Sequence, residues 1–395
     1  MSACGDTPRA RPRLLFLITE DWYFWSHRLD LARAARDAGF EVLVATRVQD
    51  HGTRIEQEGF KLLPIRMIRR SRHPLRELAA VMELAGLYRR ERPDIVHHVA
   101  MKPILYGSVA ARLARVPAVV NAFAGLGYVF ITPGRWAGCV RFLIGKALRW
   151  TLALPCARVV VQNAEDGEQL VRDGIVPPGR AVVIRGSGVD PAVFAPSLES
   201  AGESLVVLAS RMLWDKGVRE FVEAAGLLKA QGVQARCVLV GMVDEENPAK
   251  IPERQLQAWQ AEGNIEWWGH RDDMRQVLSA ARVVVLPSYR EGLPKVLLEA
   301  AACARPIVAA DVPGCREVVR DGDTGILVPP KNVQALAQAI TTLLQDPALR
   351  ERMGRRGRDL VVKEFSVERI ASETLALYRE LLGPAWQGAA GVGRA

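Results

Sequence analysis

Leu205-Val206-Val207-Leu208-Ala209-Ser210-Arg211-Met212-Leu213-Trp214-Asp215-Lys216-Gly217 opens with five apolar residues, turns through a polar segment bearing two cations, and enters a helix expected over 217–230. A short unbroken apolar run, rather than an alternating one, belongs to a strand covered on both faces, as in a parallel sheet between helices. The pattern repeats downstream, with strands expected at 236–240, 265–268, 283–286, 306–309 and 326–328 and helices near 252–261, 272–280, 294–303, 332–344 and 366–382. Upstream it runs through strands at 14–19, 41–46, 60–65, 95–99, 118–122 and 158–161, separated by helices at 27–39, 75–91, 104–114, 135–153 and 164–173. Between the two series Gly186-Ser187-Gly188-Val189-Asp190-Pro191 and Phe194-Ala195-Pro196 read as a connection. The expected organisation is a domain at 1–186, a linker at 187–203, a second domain at 204–365, and a segment 366–395 whose helix returns to the first domain. The fold class is α/β with two doubly wound domains, and ligands of such sheets bind beyond the carboxyl ends of the strands.

The chain has 395 residues, 49% of them hydrophobic and 25% charged, which suits two globular domains and excludes a mostly disordered chain. Its six cysteines, at 4, 139, 156, 237, 303 and 315, form no Cys-x-x-Cys pair and point to a reducing compartment. Arg9, Arg11 and Arg13 precede an apolar run of only five residues, too short for an export signal, so a buried first strand is expected there. The formal charge of +9 lies entirely in one half: residues 1–200 carry 28 Lys and Arg against 19 Asp and Glu, and residues 201–395 carry 25 of each. The basic residues gather at Arg66, Arg69, Arg70, Arg72 and Arg76, at Arg89, Arg90 and Arg92, and at Arg135, Arg141, Lys146 and Arg149. Such asymmetry suits an anionic partner, whether nucleic acid, an acidic membrane or a phosphorylated substrate, or else a solvated face. Residues 134–155, with Trp136, Arg141, Lys146, Arg149 and Trp150 among aliphatics, fit either an interfacial membrane helix or a core helix with outward charges.

Three segments of the second half fall at strand ends. Arg211 and Lys216 lie between a strand and a helix, where two cations and free amides suit a diphosphate. Ser288-Tyr289-Arg290-Glu291-Gly292-Leu293-Pro294-Lys295 follows a buried strand, and Glu291 and Glu299 suit the two ends of a polyol ligand. Gly269-His270-Arg271-Asp272-Asp273 offers His270 and Arg271 to a base or sugar, or forms a turn in which Asp272 caps the next helix. Asp321-Gly322-Asp323 has carboxylate spacing suited to a metal but reads as turn chemistry, and no metal is expected.

Together these residues resemble the retaining glycosyltransferases of family 4: Glu291-x7-Glu299 with Gly292-Leu293-Pro294, Arg211-x4-Lys216-Gly217, Gly188-Val189-Asp190 with Phe194 and Pro196, Asp311-Val312-Pro313-Gly314-Cys315-Arg316-Glu317, and Asp321-Gly322-x-x-Gly325. Lys102-Pro103 and residues 125–130 resemble members that build bacterial lipid-linked surface saccharides. The resemblance implies the GT-B fold, two Rossmann-like domains facing each other across a cleft. It also implies transfer from a nucleotide diphosphate-sugar, UDP-linked above all, to a polyprenyl-diphosphate-linked saccharide, without a metal or other cofactor. It assigns Arg211 and Lys216 to the donor diphosphate, Glu291 and the amides of residues 292–294 to the donor sugar, Glu299 to the ribose, and the 269–271 loop to the base. Gly188 and Lys295 join the donor-site candidates, Lys295 as a cation at a position often apolar in the wider family.

Two departures from the family pattern fall in the first half. Many members carry a Gly-rich loop after the first strand, where this chain has Glu20-Asp21-Trp22-Tyr23-Phe24-Trp25-Ser26-His27-Arg28, read as an aromatic loop shaping an acceptor site. Many place a functional His after the fifth strand, where this chain reads Asn121-Ala122-Phe123-Ala124. The acceptor candidates by position are therefore Asp21, Trp22, His27, His98, Lys102, Asn121 and Gly125. A nucleotide-sugar 2-epimerase of the same architecture is the alternative enzyme, disfavoured by the Glu-x7-Glu element. A nucleic-acid binder leaves Glu291 and Glu299 unexplained, so no nucleic-acid partner is expected. The expected location is cytoplasmic and peripheral, at the inner face of the membrane.

Overall fold

The computed structural model describes residues 11–69, 73–125, 145–154, 156–197 and 204–383. Arg70, Arg72, Arg135, Trp136, Arg141, residues 126–130 and the second part of the connection lie outside that set. The chain divides into one unit of residues 1–187 plus 370–395 and another of residues 188–369.

The first unit holds a parallel sheet of β1 (Arg13–Glu20), β2 (Glu41–Arg47), β3 (Lys61–Pro64), β4 (Ile95–Val99), β5 (Ala118–Ala122), β6 (Ala157–Val161) and β7 (Ala181–Val183). Its strand order is β3-β2-β1-β4-β5-β6-β7. The unbroken apolar run of β1 serves two cores at once, because successive side chains leave a strand on opposite faces. Leu14, Phe16 and Ile18 join one buried cluster, and Leu15 and Leu17 join another on the far side of the sheet. The second unit repeats the scheme with β8 (Leu205–Ala209), β9 (Arg236–Val240), β10 (Glu266–Trp267), β11 (Val283–Leu286), β12 (Ile307–Ala310) and β13 (Gly325–Val328), in the order β10-β9-β8-β11-β12-β13. There Val207 and Ala209 pack on one face of β8, and Val206 and Leu208 on the other. In each sheet the strand order reverses once, between β1 and β4 and between β8 and β11, and ligands of such sheets bind beyond the carboxyl ends at that point.

Five local readings change. Asp21–His27 is a helix rather than a loop. The Asp21 carboxylate accepts the Trp22 amide at 2.8 Å at its start, and Phe24 is buried edge-on to Phe16 and Phe60, so tertiary packing outweighs an aromatic-rich composition of low helix propensity. A separate helix, Leu29–Asp37, begins after Arg28. Pro347–Glu364 is an 18-residue helix with no counterpart in the predicted series. Its start carries the usual marks, Asp346 accepting the Leu349 amide at 2.9 Å and Pro347 in the first turn. Its packed side is small, however: a Cβ on Gly354 would come within 2.1 Å of the Ala304 carbonyl oxygen, so two glycines replace apolar residues on that side. Short helices at Gly52–Gln57 and Pro313–Val318 were likewise beyond the apolar pattern.

The connection is fixed within the second unit. Val189 exchanges backbone bonds with Phe365 and Val367, each at 3.0 Å. Arg358 donates to the carbonyls of Pro191, Phe194 and Ala302, and Arg305 donates to the Ser197 carbonyl at 2.7 Å. In the first unit, the His97 imidazole meets the Tyr378 hydroxyl at 2.5 Å, with both side chains buried in one core. Arg158 and Glu380 pair at 2.8 Å nearby.

Candidate active site

At the reversal in the second unit, β8 and β11 each release a loop at their carboxyl ends. The first ends in a single helical turn, Trp214–Lys216, then Gly217 and the helix Val218–Ala230. Gly217 has φ +70°, and a Cβ there would lie 2.2 Å from the Pro287 carbonyl oxygen, so only glycine lets the two loops touch. The Tyr289 amide donates to the Asp215 carbonyl at 2.9 Å and closes the same contact. As a result Lys216 Nζ reaches Glu291 Oε1 at 2.6 Å, with side chains 17% and 10% exposed. The pair is largely shielded but keeps an open side, where a shielded cation acts strongly on an incoming anion.

Glu291 is held from behind as well. Gly314, in the turn opening the helix Pro313–Val318 after β12, comes so close that a Cβ would sit 2.5 Å from the Gly292 oxygen and 2.6 Å from the Glu291 oxygen. Cys315, next along, is fully buried, and burial together with the nearby Glu291 carboxylate pushes its thiol well above the usual range. Glu299, on the helix Lys295–Ala302, has its carboxyl raised by burial and partly held down by Lys295 at 3.5 Å. Tyr289 donates its hydroxyl to Glu220 at 2.6 Å and carries Lys331 over its ring at 4.5 Å.

Arg211 pairs with Asp244 at 2.7 Å, a residue on the segment that follows β9. Asp244 was not singled out in the sequence, although its place just past a strand end was the available signal. His270 and Arg271 lie past β10, at the edge of the sheet. His270 pairs with the exposed Asp272 at 3.1 Å, and Arg271 pairs with Asp273 at 2.6 Å while stacking on Trp268. Asp273, not Asp272, stands at the helix start, and it makes no side-chain cap. Gly188, with φ +75°, packs against the Val367 backbone, where a Cβ would come within 2.9 Å; this close approach is what requires glycine there. Asp321 accepts the Leu327 amide at 2.8 Å and Asp323 pairs with Arg356, so both act in the turn.

The first-unit candidates separate into framework and surface. Asp21 is fully buried and also accepts the Gln49 and His51 amides at 2.6 and 2.9 Å, tying the end of β1 to the loop after β2. His98 and Asn121 are fully buried side by side on β4 and β5, 2.8 Å apart, with Tyr88 on the other imidazole nitrogen and Ser108 donating to Asn121. Burial pushes His98 down to about 4. All three side chains are fully buried within the first unit. His27 bonds Ser26 and stacks on Tyr23, and Trp22 is half-buried beside that ring. Lys102 donates to the Ile68 carbonyl at 2.6 Å and pairs with Glu77 at 2.8 Å. Gly125, with φ +100°, is the last described residue before 126. Between β4 and the helix Met101–Ala114, Ala100 holds φ +74°, a strained value for a non-glycine residue, at the reversal of this sheet. In the 145–154 segment, Leu148 and Leu152 are buried, while Arg149 and Trp150 are exposed and Arg112 stacks on the Trp150 ring.

Residues 13–156 match the family model described as glycosyl transferase 4-like, and residues 190–360 match that of glycosyl transferases group 1. The chain belongs to the family-4 glycosyltransferases. This glycosyltransferase is 28% identical, over 94% of its length and 99% of the relative, to N,N'-diacetylbacillosaminyl-diphospho-undecaprenol alpha-1,3-N-acetylgalactosaminyltransferase of Campylobacter jejuni. It is 26% identical to UDP-Gal:alpha-D-GlcNAc-diphosphoundecaprenol alpha-1,3-galactosyltransferase of Escherichia coli, over 78% of its own chain and 81% of the other. Its GT-B fold is shared with HepE of Anabaena, solved with UDP and glucose, at TM-score 0.74 and 21% identity over 92% and 98% of the two chains. Sucrose-phosphate synthase of Thermosynechococcus elongatus superposes at TM-score 0.77 with 24% identity, covering 94% and 99%. The relatives give no support to an epimerase.

Proposed function

We propose that the glycosyltransferase moves a hexose or N-acetylhexosamine, with retention, from a UDP-sugar to a polyprenyl-diphosphate-linked saccharide during bacterial surface glycan synthesis. The observation carrying this reading is the shielded Lys216–Glu291 pair at the sheet reversal, fixed by Gly217 on one side and Gly314 on the other. The undecaprenyl-diphosphate acceptors named for the Campylobacter jejuni and Escherichia coli relatives, and the UDP bound by HepE, support the substrate classes.

In the reaction, Lys216 and Arg211 bind the donor diphosphate and offset the charge that grows on it as the bond from the anomeric carbon to the phosphate oxygen breaks. Glu291 and its turn amides hold the sugar hydroxyls, and Glu299 accepts from the ribose. Attack comes from the acceptor hydroxyl on the face the phosphate leaves, and the hydroxyl proton passes to the departing phosphate oxygen. The protein supplies the stabilising charge with its own cations, and the reaction runs without a metal. Work on a lipid-linked acceptor sets it at the cytoplasmic face of the membrane.

Thermal-shift titration with UDP, GDP, ADP and CMP in excess EDTA tests this. UDP alone should raise the midpoint, and Glu291→Ala should keep that shift while losing about 10²–10³-fold in transfer. No UDP shift, a shift abolished by EDTA, or full activity in the variant would overturn the reading.

A further inference from the structure

Helix Pro74–Glu91 is buried along one part of its length and bare along the other. Leu84, Ala85, Leu87 and Tyr88 lie in the core against β1, β2 and the helix Met101–Ala114. In the first turns, Leu75, Leu78 and Met82 are 72%, 60% and 53% exposed. Their spacing of three and four residues puts them in one stripe. Ile68, just upstream, is 41% exposed, so four of the eleven exposed large apolar side chains among the described residues fall within 68–82. The clustering is what separates this face from ordinary scattered surface hydrophobics.

The charges around the stripe are sorted by sign. Glu77 turns inward to Lys102 at 2.8 Å and to Tyr106, and Glu83 is half-buried facing the Arg66 amide. Arg66 and Arg76 are exposed, and with Ile68, Glu77, Glu83 and Lys102 they line an open cavity of about 410 Å³ at the foot of the stripe. Outward cations beside an apolar stripe form the pattern that enters the headgroup layer of an anionic bilayer. Position agrees: a helix linking parallel strands starts at their carboxyl edge, so Leu75 and Leu78 stand at the edge where Lys102 opens the next helix.

We propose that Arg66, Ile68 and the exposed stripe of residues 74–82 form the surface by which this enzyme docks on an anionic bilayer, presenting the carboxyl edge of the first unit's sheet to a lipid-linked acceptor. This rests on the acceptor reading above and adds the surface. Three partly inserted apolar side chains and two arginines account for reversible, salt-sensitive attachment, not for anchoring.

The test is co-sedimentation with vesicles of 30 mol% phosphatidylglycerol in phosphatidylcholine, compared with phosphatidylcholine alone. The parent should sediment with the anionic vesicles only. A Leu75→Ser, Leu78→Ser, Met82→Ser variant, changed solely at exposed positions, should lose about 100-fold in partitioning. Arg66→Glu with Arg76→Glu should abolish the preference for anionic lipid, and Lys146→Glu with Arg149→Glu should leave it. Equal sedimentation of parent and stripe variant overturns the proposal. So does a parent that ignores vesicles, or a stripe variant that only turns a dimer into a monomer. Because UDP stabilisation is read on the same proteins, failure of the donor reading registers separately from failure of the surface.

Discussion

At Gly314 a single hydrogen in place of a methyl group decides where Glu291 stands. The carbonyl oxygens of Glu291 and Gly292 lie where an alanine Cβ would need them absent, 2.6 and 2.5 Å away. Gly314→Ala should therefore cost about 1–3 kcal/mol of stability and shift the Glu291 turn. A displacement on the scale of 1 Å costs on the order of 10²-fold in turnover when it misplaces a reacting group. Steady-state kinetics beside a urea melt checks this, and unchanged kcat would show that the turn tolerates the push. Glu291, Lys216 and Arg211 were legible because each follows an apolar strand in the chain. Gly314 was visible as part of a motif, but its contact with a turn some twenty residues earlier was not. Nor could order along the chain tell a buried carboxylate like Asp21 from an exposed one, since its role depends on the Gln49 and His51 amides.

Among the elements, the helix Pro347–Glu364 shows why periodicity alone falls short. Buried Met353, Leu360 and Val361 are spread thinly over its 18 residues, and the contact is made by glycine backbone and by Arg358. That guanidinium serves three carbonyls, two of them on the 190–197 segment. Arg358→Ala leaves those carbonyls short of donors and should destabilise the second unit by about 2–4 kcal/mol. Urea denaturation followed through intrinsic tryptophan fluorescence reads the loss, and a change within experimental error would make the arginine ornamental. The strands of both sheets other than β7 (Ala181–Val183), by contrast, were readable from apolar runs to within a few residues, because strands buried on both faces are mostly apolar, with exceptions such as His97, His98 and Asn121.

Over the whole molecule, acid stability follows from two buried imidazoles on β4. Burial holds His97 well below its usual range, with Arg28 and His98 adding to it, and brings His98 to about 4. Both are neutral in the folded chain and take up protons once it unfolds below their ordinary value of 6.5. Between that value and about 4 the unfolded state binds more protons, so stability falls as pH drops through the window and is flat with respect to these groups above it. Carboxylates such as Glu58, lowered by its bond to Arg33, act only below their ordinary 4.5. Melting temperatures from pH 7.5 to 4.5 should decline from about pH 6.5 downward, and His98→Gln should decline less steeply. A parent curve flat to pH 5 would contradict the assignment.

His97 and Tyr378 are separated by 281 positions in the chain, yet they share one core with Ile370 and Leu375. A ribosome therefore finishes the entire second unit before it delivers the residues that cover Phe16 and His97. At about 5–20 residues per second, the nascent first unit waits on the order of tens of seconds with that apolar face uncovered. Biosynthesis of this enzyme thus has a window of exposure set by gene order within a single reading frame, and synonymous changes that slow translation between residues 190 and 370 should lengthen it.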